Sequence, residues 1–417
     1  MLNKLKKIFS KIGPGVITGA SDDDPSGIMT YTIAGSSTKY ATLWTPLFTF
    51  PLMVAIQEMC ARIGLVTGKG LIGTMRGSYP RILIIALAIL MVIANSINVG
   101  ADLAGMASSA ALIINLPVFL LVIIFTVVTL LFMIYFPYHV IVSYLKWLTF
   151  ALFAYILSGF LSSPDWKEIF LRTFIPQIQF DKNFITILVA ILGTTISPYL
   201  FFWQASEEVE EKLETGEIKK ERKIQIVTKH ELKKMREDVT AGMFLSNLVM
   251  FFIIGTAGSV LYSSGITNIQ TTAEAAQALR PLAGEASYLL FSLGIIGTGL
   301  LAIPVLAGSA AYAVSEAFGW KEGLDKHFRQ AKAFYGVIII SLLIGIIINF
   351  LGINPIKALF FAAVIYGIIS PILIAVIIHI ANNKRLMGEK TNGLLSNIFG
   401  GLTFILMGSA VLILFIL

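Results

Sequence analysis

Charge is scarce in this chain. Asp, Glu, Lys and Arg make up 13% of its 417 residues, whereas soluble domains carry about 25%. With 56% hydrophobic residues, a large soluble domain is excluded, and the solvent for most of the chain is lipid. Cysteine is nearly absent too. Cys60 stands alone inside an apolar run, so no intramolecular disulfide can form and a small buried residue is its plain reading. Histidine is limited to four residues. His139, His327 and His379 have no carboxylate or cysteine at ligand spacing, and His230 alone makes no metal site. No paired nucleophile and base falls inside the apolar runs, which removes the basis for an intramembrane enzyme.

What the chain has is long apolar runs, repeated from end to end. A membrane helix needs about 20 such residues. Eleven spans are expected, at 13–36, 42–66, 82–113, 117–137, 140–161, 184–206, 239–262, 285–317, 333–351, 355–381 and 394–417. The formal charge of +7 could suggest nucleic acid as a partner, but the distribution of Lys and Arg explains it better. With the amino terminus inside, only Lys39, Lys167, Arg172, Lys182, Arg280 and Lys357 lie outside, and 25 of the 31 basic residues are retained on the cytoplasmic side. That bias places the amino terminus in the cytoplasm and, after eleven spans, the carboxyl terminus outside. Met1 to Lys11 is basic but leads into no apolar cleavable core, so it reads as a cytoplasmic tail. The expected location is integral to the membrane, in the plasma membrane of a prokaryote. Lipid is then a partner and nucleic acid is not; the oligomeric state is left open.

One transporter domain fills 1–417. Its most polar stretch, 207–238, has 9 basic and 10 acidic residues and reads as a solvated cytoplasmic loop, a helical hairpin of mixed charge. Two spans are interrupted. In the first, Ser21-Asp22-Asp23-Asp24-Pro25-Ser26-Gly27 breaks an apolar segment; in the sixth, Leu192-Gly193-Thr194-Thr195-Ile196-Ser197-Pro198-Tyr199 does the same. Proline removes a backbone donor and frees carbonyls before it, and freed polar backbone at membrane depth must line protein or a polar cavity. Interruptions in the first and sixth spans point to two inverted five-helix repeats, 12–161 and 184–381, with the substrate at the midplane. The segment 394–417 is an additional helix.

The carboxylates Asp22, Asp23 and Asp24 carry the strongest functional signal. Each would cost about 2.5–3.5 kcal/mol in the membrane even on a lenient scale, so three together call for water or a cation. The alternative, a first span beginning after Pro25, leaves the apolar stretch from Ile12 to Ala20 without a partner. Residues about 100° apart on a helix do not all face one ion; one carboxylate is expected to bind directly while the others set the field or line the vestibule. Glu58 and Arg62, at i and i+4, read as an ion pair or a gate. Asp102 is either a proton relay or a buried acid hydrogen-bonded to Asn95 or Asn98.

Asp24-Pro25-Ser26-Gly27 resembles the Asp-Pro-Gly-Asn motif of Nramp-type divalent-metal transporters. Similar stretches are Gly13-Pro14-Gly15 through Gln57, Ala61-Arg62-Ile63-Gly64, Val66-Thr67-Gly68, Ala101-Asp102-Leu103-Ala104, the run from Ala275 to Leu282 with Gly284, and Leu386-Met387-Gly388-Glu389. The resemblance covers nearly the whole chain. It implies an all-α membrane protein of about 11 helices in a leucine-transporter-like inverted 5+5 repeat, with helices 1 and 6 broken. It further implies a metal site in which Asp24 is joined by a carbonyl near Thr194 and by the residue at Ser197. The family's motif differs at three places: its Asn is Gly27 here, its Met is Ser197 and its His is Tyr199. A second family histidine falls at Gln204, and the usual acidic companion of Asp102 is Gly105.

The changes share a physical direction. A thioether favours softer transition metals, while carboxylate, hydroxyl, carbonyl and water suit Mg²⁺, Ca²⁺ and Mn²⁺. Smaller side chains leave room for water, and Mg²⁺ keeps several of its waters. The expected activity is therefore secondary transport of a divalent cation, Mg²⁺ before Mn²⁺, by alternating access. Without the histidines, obligatory proton coupling is not expected. The transported ion is the only metal, and no cofactor is implied. A same-fold symporter of a small organic solute and a proton-coupled Mn²⁺/Fe²⁺ transporter are the competing readings.

Overall fold

The computed structural model describes residues 13–162, 164–216, 224–267, 269 and 271–416. Every element among them is helical. The first span is two helices, α1 (Pro14–Asp22) and α2 (Pro25–Thr38), separated at Asp23 and Asp24. Then come α3 (Thr45–Thr67), a short α4 (Leu71–Met75), α5 (Arg81–Ala111) and α6 (Val118–Tyr135). The fifth span joins α7 (Tyr138–Leu148) to α8 (Phe153–Leu161) through a 3₁₀ turn. After α9 (Trp166–Phe174), the sixth span is broken into α10 (Lys182–Thr195) and α11 (Pro198–Glu214). The rest are α12 (Lys229–Val260), α13 (Thr272–Phe318), α14 (Lys332–Phe350), α15 (Pro355–Asn382), α16 (Lys384–Met387) and α17 (Leu394–Ile416).

Among the described residues, ten segments are long and apolar enough to cross a membrane. The broken first span, whose halves are 9 and 14 residues, brings the architecture to the eleven expected. Gly284, at φ 86°, divides α13 near the start of its membrane portion; a positive φ is a conformation that glycine alone adopts readily.

Glycine also decides how the first span packs. A Cβ on Gly19 would lie 2.2 Å from the carbonyl of Gly242, and one on Gly242 would lie 2.0 Å from the carbonyl of Gly15. The backbones of α1 and α12 therefore touch directly, as small residues allow between membrane helices. Farther along, Gly35 of α2 meets the Ile254 carbonyl at a similar range, 2.4 Å from a built Cβ. Helix α12 is thus a straight support for both halves of a broken helix. At its other end Asp238 accepts hydrogen bonds from the Gly13 and Gly15 amides at 2.7 and 2.6 Å. Gly13 is the N-cap of α1 and has no side chain to cap with, so Asp238 supplies the missing acceptor.

Two sequence expectations are corrected. The stretch 207–238 is solvated on one limb only: Glu207–Glu214 prolong α11 with Glu207, Glu208, Glu210 and Lys212 buried, while Lys229–Asp238 begin α12 with most of their side chains exposed, and Lys212 pairs with Glu231 across the two limbs at 2.6 Å. Residues 217–223 of that stretch lie outside the described residues. The reason is that α11 keeps its apolar contacts with α3 and α13 and carries the glutamates in with it. Glu58 and Arg62 do not pair with each other. Glu58 accepts from Arg236 of α12 at 2.9 Å, and Arg62 donates to the Thr391 carbonyl at 3.2 Å and to Asn392, in the connection between α16 and α17; partners distant in sequence outcompete the i,i+4 neighbour.

The glycine contact gives a direct expectation. Gly19→Val should destabilise the protein by about 3 kcal/mol, the upper range for overpacking, and lower its midpoint in a detergent melt. Gly336→Ala, which meets nothing within 4 Å, should be neutral or slightly stabilising. Equal melting of the two variants would show that α1 and α12 are not in backbone contact.

Candidate functional site at the two helix breaks

A polar residue holds a helix end at each break, the start of α2 at the first and the end of α10 at the second. Asp24 is the N-cap of α2: its Oδ1 accepts from the Gly27 amide and the Ser26 hydroxyl, both at 2.6 Å. Its Oδ2 accepts from Asn98 Nδ2 of α5 at 2.8 Å. The carboxylate is 2% exposed and is held by three donors from two helices, with its remaining lone pairs free to meet a cation. At the second break the Ser197 hydroxyl donates to the Thr194 carbonyl at 2.7 Å and to the Gly193 carbonyl at 3.2 Å. It satisfies carbonyls that the end of α10 leaves open.

The breaks are tied to each other. Tyr199 donates to the Ser21 carbonyl at 2.9 Å, and the Tyr31 and Thr195 hydroxyls lie 3.3 Å apart. Between them is a cavity of about 230 Å³ lined by Asp24, Thr194, Ser197 and Tyr199 among the expected residues. It runs along Thr30 and Ile33 of α2 and Asn183 and Thr186 of α10, toward the face opposite Gly13. On the Gly13 face the α1–α12 backbone contact, the Asp238 cap and the Tyr199–Ser21 bond stand in the way. The site is open to one side only.

Other expected residues are placed elsewhere. Asp22 and Asp23 do not line the cavity. Asp22 Oδ2 accepts from Ser246 of α12 at 2.8 Å, while Asp22 Oδ1 and both oxygens of Asp23 are buried without a partner among the described residues. Gly27 is also outside the cavity lining, but a Cβ there would stand 3.3 Å from Asp24 Oδ1, so glycine leaves that carboxylate uncrowded. Gln204 is fully buried and donates to Glu208 at 3.0 Å. Glu58 and Arg62 belong to the packing of α3 and α12 described above.

Asp102 requires a correction. It is hydrogen-bonded to neither Asn95 nor Asn98. Its Oδ1 accepts from the Ser26 amide at 3.2 Å, while Asn95 bonds the Leu306 carbonyl, Ser309 and Tyr366, and Asn98 serves Asp24. The amide that starts α2 is a better-placed donor than a side chain one or two turns away on the same helix. Ser26 consequently bridges the two acids, its amide on Asp102 and its hydroxyl on Asp24.

Among the cavity-lining residues that the sequence did not single out for the site are Ser26, Met29, Asn98 and Tyr366. Two asparagines and an aspartate at 95, 98 and 102 on one apolar helix were the available signal for Asn98. Met29 brings a thioether into the cavity from α2. Nothing in its local sequence separates it from a packed methionine. No three His, Cys, Asp or Glu side chains among the described residues converge as a metal cluster. A cation here would have one carboxylate, neutral oxygens and water.

Broken helices paired across a buried one-sided cavity define a membrane transporter of the inverted-repeat class, not an enzyme. The family model described as natural resistance-associated macrophage protein-like matches residues 15–417, and the chain belongs to the Nramp family. A divalent metal cation transporter MntH from Caldanaerobacter subterraneus is 26% identical over 416 residues, covering 99% of this chain and 93% of that relative. Its counterpart from Yersinia pestis is 25% identical and covers 97% of this chain and 94% of its own. Among solved structures, a manganese transporter from Eremococcus coleocola superposes with a TM-score of 0.76 at 19% identity, covering 98% of this chain and 86% of its own. The nucleobase-cation-symport-1 family transporter MHP1 has the same fold at a TM-score of 0.58 and 14% identity, with 96% and 91% covered.

The Asp238 cap closes one face, and its removal should be measurable. In Asp238→Ala, amides of 13–22 should exchange with deuterium about fivefold faster or more, since a lost cap costs about 1 kcal/mol. Glu237→Ala, whose side chain is 68% exposed, should leave exchange unchanged. Unchanged protection in Asp238→Ala would mean that the cap does not hold α1.

Proposed function

We propose that this chain carries a divalent metal cation across the membrane by alternating access, with Mg²⁺ favoured and Mn²⁺ accepted, through Asp24, the Thr194 carbonyl and Ser197. The observation that carries this reading is the donor set of the cavity. One carboxylate, a carbonyl at a helix break that accepts a single bond from Ser197 and so keeps a second lone pair, and the oxygen of that hydroxyl are ligands of the kind that suit Mg²⁺ and Mn²⁺. Mg²⁺ is usually held by one or two carboxylates with waters retained, and a cavity of about 230 Å³ has room for them. The relatives named divalent metal cation transporter and the fold neighbour named manganese transporter support a metal as cargo.

In this reading the repeats 12–161 and 184–381 move against each other around the site, and the charge bias puts the Gly13 face in the cytoplasm. The structure would then be the outward-open state. Entry to the cytoplasm requires α1 to leave α12, which breaks the Asp238 cap and the Tyr199–Ser21 bond. Asp22 and Asp23 set a negative field behind the ion. Proton transfer is not obligatory, because Tyr199 and Gln204 stand where the family has histidine, the one side chain with an ordinary pKa between 5 and 8.

The test is flux into proteoliposomes with a pH-sensitive dye inside. Wild-type protein should take up Mg²⁺ and Mn²⁺ without matching acidification. Asp24→Ala should abolish uptake of both in a protein that still melts cooperatively. Ser197→Met should shift relative rates toward Mn²⁺ and Cd²⁺, by adding a soft ligand and displacing water; Met29→Leu should not change the Mg²⁺ rate. Uptake that survives Asp24→Ala, or uptake of organic solutes in place of metal, would overturn the reading. Stoichiometric acidification lost in Asp102→Asn would restore proton coupling.

A further inference from the structure

A second polar cavity lies on the Gly13 face, away from the helix breaks. It occupies about 230 Å³ between α11, the end of α13 and the connection 319–331. Glu210 of α11 is 2% exposed and uses only one oxygen: Oε1 accepts from Tyr312 at 2.7 Å and from the Leu324 amide at 3.1 Å. Its Oε2 is buried without a partner among the described residues, and so is Oε2 of Glu322. Independently of these acids, the Ser206 hydroxyl lines the same cavity, 3% exposed and equally without a partner.

Among the described residues, the positive charges of Lys326 and Arg76 act on Glu322 and that of Lys326 acts on Glu210, but neither group bonds the two free oxygens. Lys326 is bound to Asp325 at 2.8 Å, and Lys69 stands exposed at the rim. Glu316, the third acid of the wall, is engaged by the Gly73 amide at 2.9 Å and by the nearby charge of Arg76. Two buried carboxylate oxygens and a hydroxyl, each without a partner among the described residues, are groups that a cation would satisfy. No three acids come close enough to strip an ion of water, so the ion that fits keeps part of its hydration shell, as Mg²⁺ does.

We propose that this cavity is a regulatory site for a hydrated divalent cation, held by Glu210, Glu322 and Ser206, which ties α11 to the connection 319–331 and slows carriage when the ion accumulates on the Gly13 side. The slowing follows from position. Residue 210 lies about three and a half turns beyond the Ser197 break on the same helix, and an ion joining it to residue 322 resists any tilt of α11 that opens the site to this face. The proposal rests on the assignment of that face to the cytoplasm; the binding of the ion does not.

Binding is measured on the purified full chain with Mn²⁺, following the free ion by its paramagnetic resonance signal. Wild type should bind two equivalents, Asp24→Asn one, and Asp24→Asn with Glu322→Gln none. Loss of all binding in Asp24→Asn alone overturns the second site, as does an equivalent that persists in the double variant. Two equivalents in Asp24→Asn, falling to one with Glu322→Gln, would uphold this site while refuting the role of Asp24. In proteoliposomes loaded with millimolar Mg²⁺, initial Mn²⁺ uptake should slow by roughly fivefold or more, a typical allosteric coupling. Glu322→Gln should relieve the slowing with no change in uptake into unloaded vesicles. Glu322→Lys, which places a fixed cation in the cavity, should be slow in both. Equal slowing of wild type and Glu322→Gln contradicts regulation through this site.

Discussion

The hydrogen bonds that Asp24 accepts are the interaction on which the rest of the site depends. One carboxylate ends the break in the first span by capping α2 and fixes α5 through Asn98. A buried carboxylate costs several kcal/mol unless it is hydrogen-bonded, and here the donors that stabilise it also orient it. Its neighbours follow from that placement. Ser26 reaches it from the first turn of α2 and passes its amide to Asp102. The N-terminal pole of α2 faces the carboxylate, and the carbonyl pole of α10 faces the same cavity from across it. A cation between them meets a full negative charge and the negative end of a helix dipole.

The closed face depends on different physics. Nothing charged bridges α1 and α12 along most of their length; glycine backbones at van der Waals contact do. Such an interface has two arrangements, packed or apart, and little between, since close-packed surfaces do not deform continuously. The polar elements are confined to its ends, the Asp238 cap at one and the Ser246–Asp22 bond at the other. A few hydrogen bonds and one small-residue contact are forces that a helix can exchange for others when it swings.

Much of this was legible in the amino-acid sequence. The places of the spans follow from apolar length, because lipid demands about 20 apolar residues, but their ends do not: α11 runs on to Glu214 and α12 starts at Lys229, past the apolar runs. Both breaks are marked by proline after a polar cluster, and Asp24, Thr194 and Ser197 do meet around one cavity. Partner choice was not legible. Glu58 takes Arg236 over Arg62, and Asp102 takes the Ser26 amide over Asn95 or Asn98, because each better partner is distant in sequence. The glutamates of α11 read as solvated, since charge pattern does not reveal that a helix runs on into packed protein. Met29 was invisible for a similar reason: a methionine in an apolar helix faces a cavity or a core with no local difference.

The central claim, that the cargo is bound between the two breaks at Asp24, is tested most directly by anomalous diffraction from crystals grown with Mn²⁺. A peak in the cavity beside Asp24, facing the Thr194 carbonyl and Ser197 and retaining water among its ligands, is the result expected. A peak on Asp22 and Asp23 with the Asp24 cavity empty would contradict it.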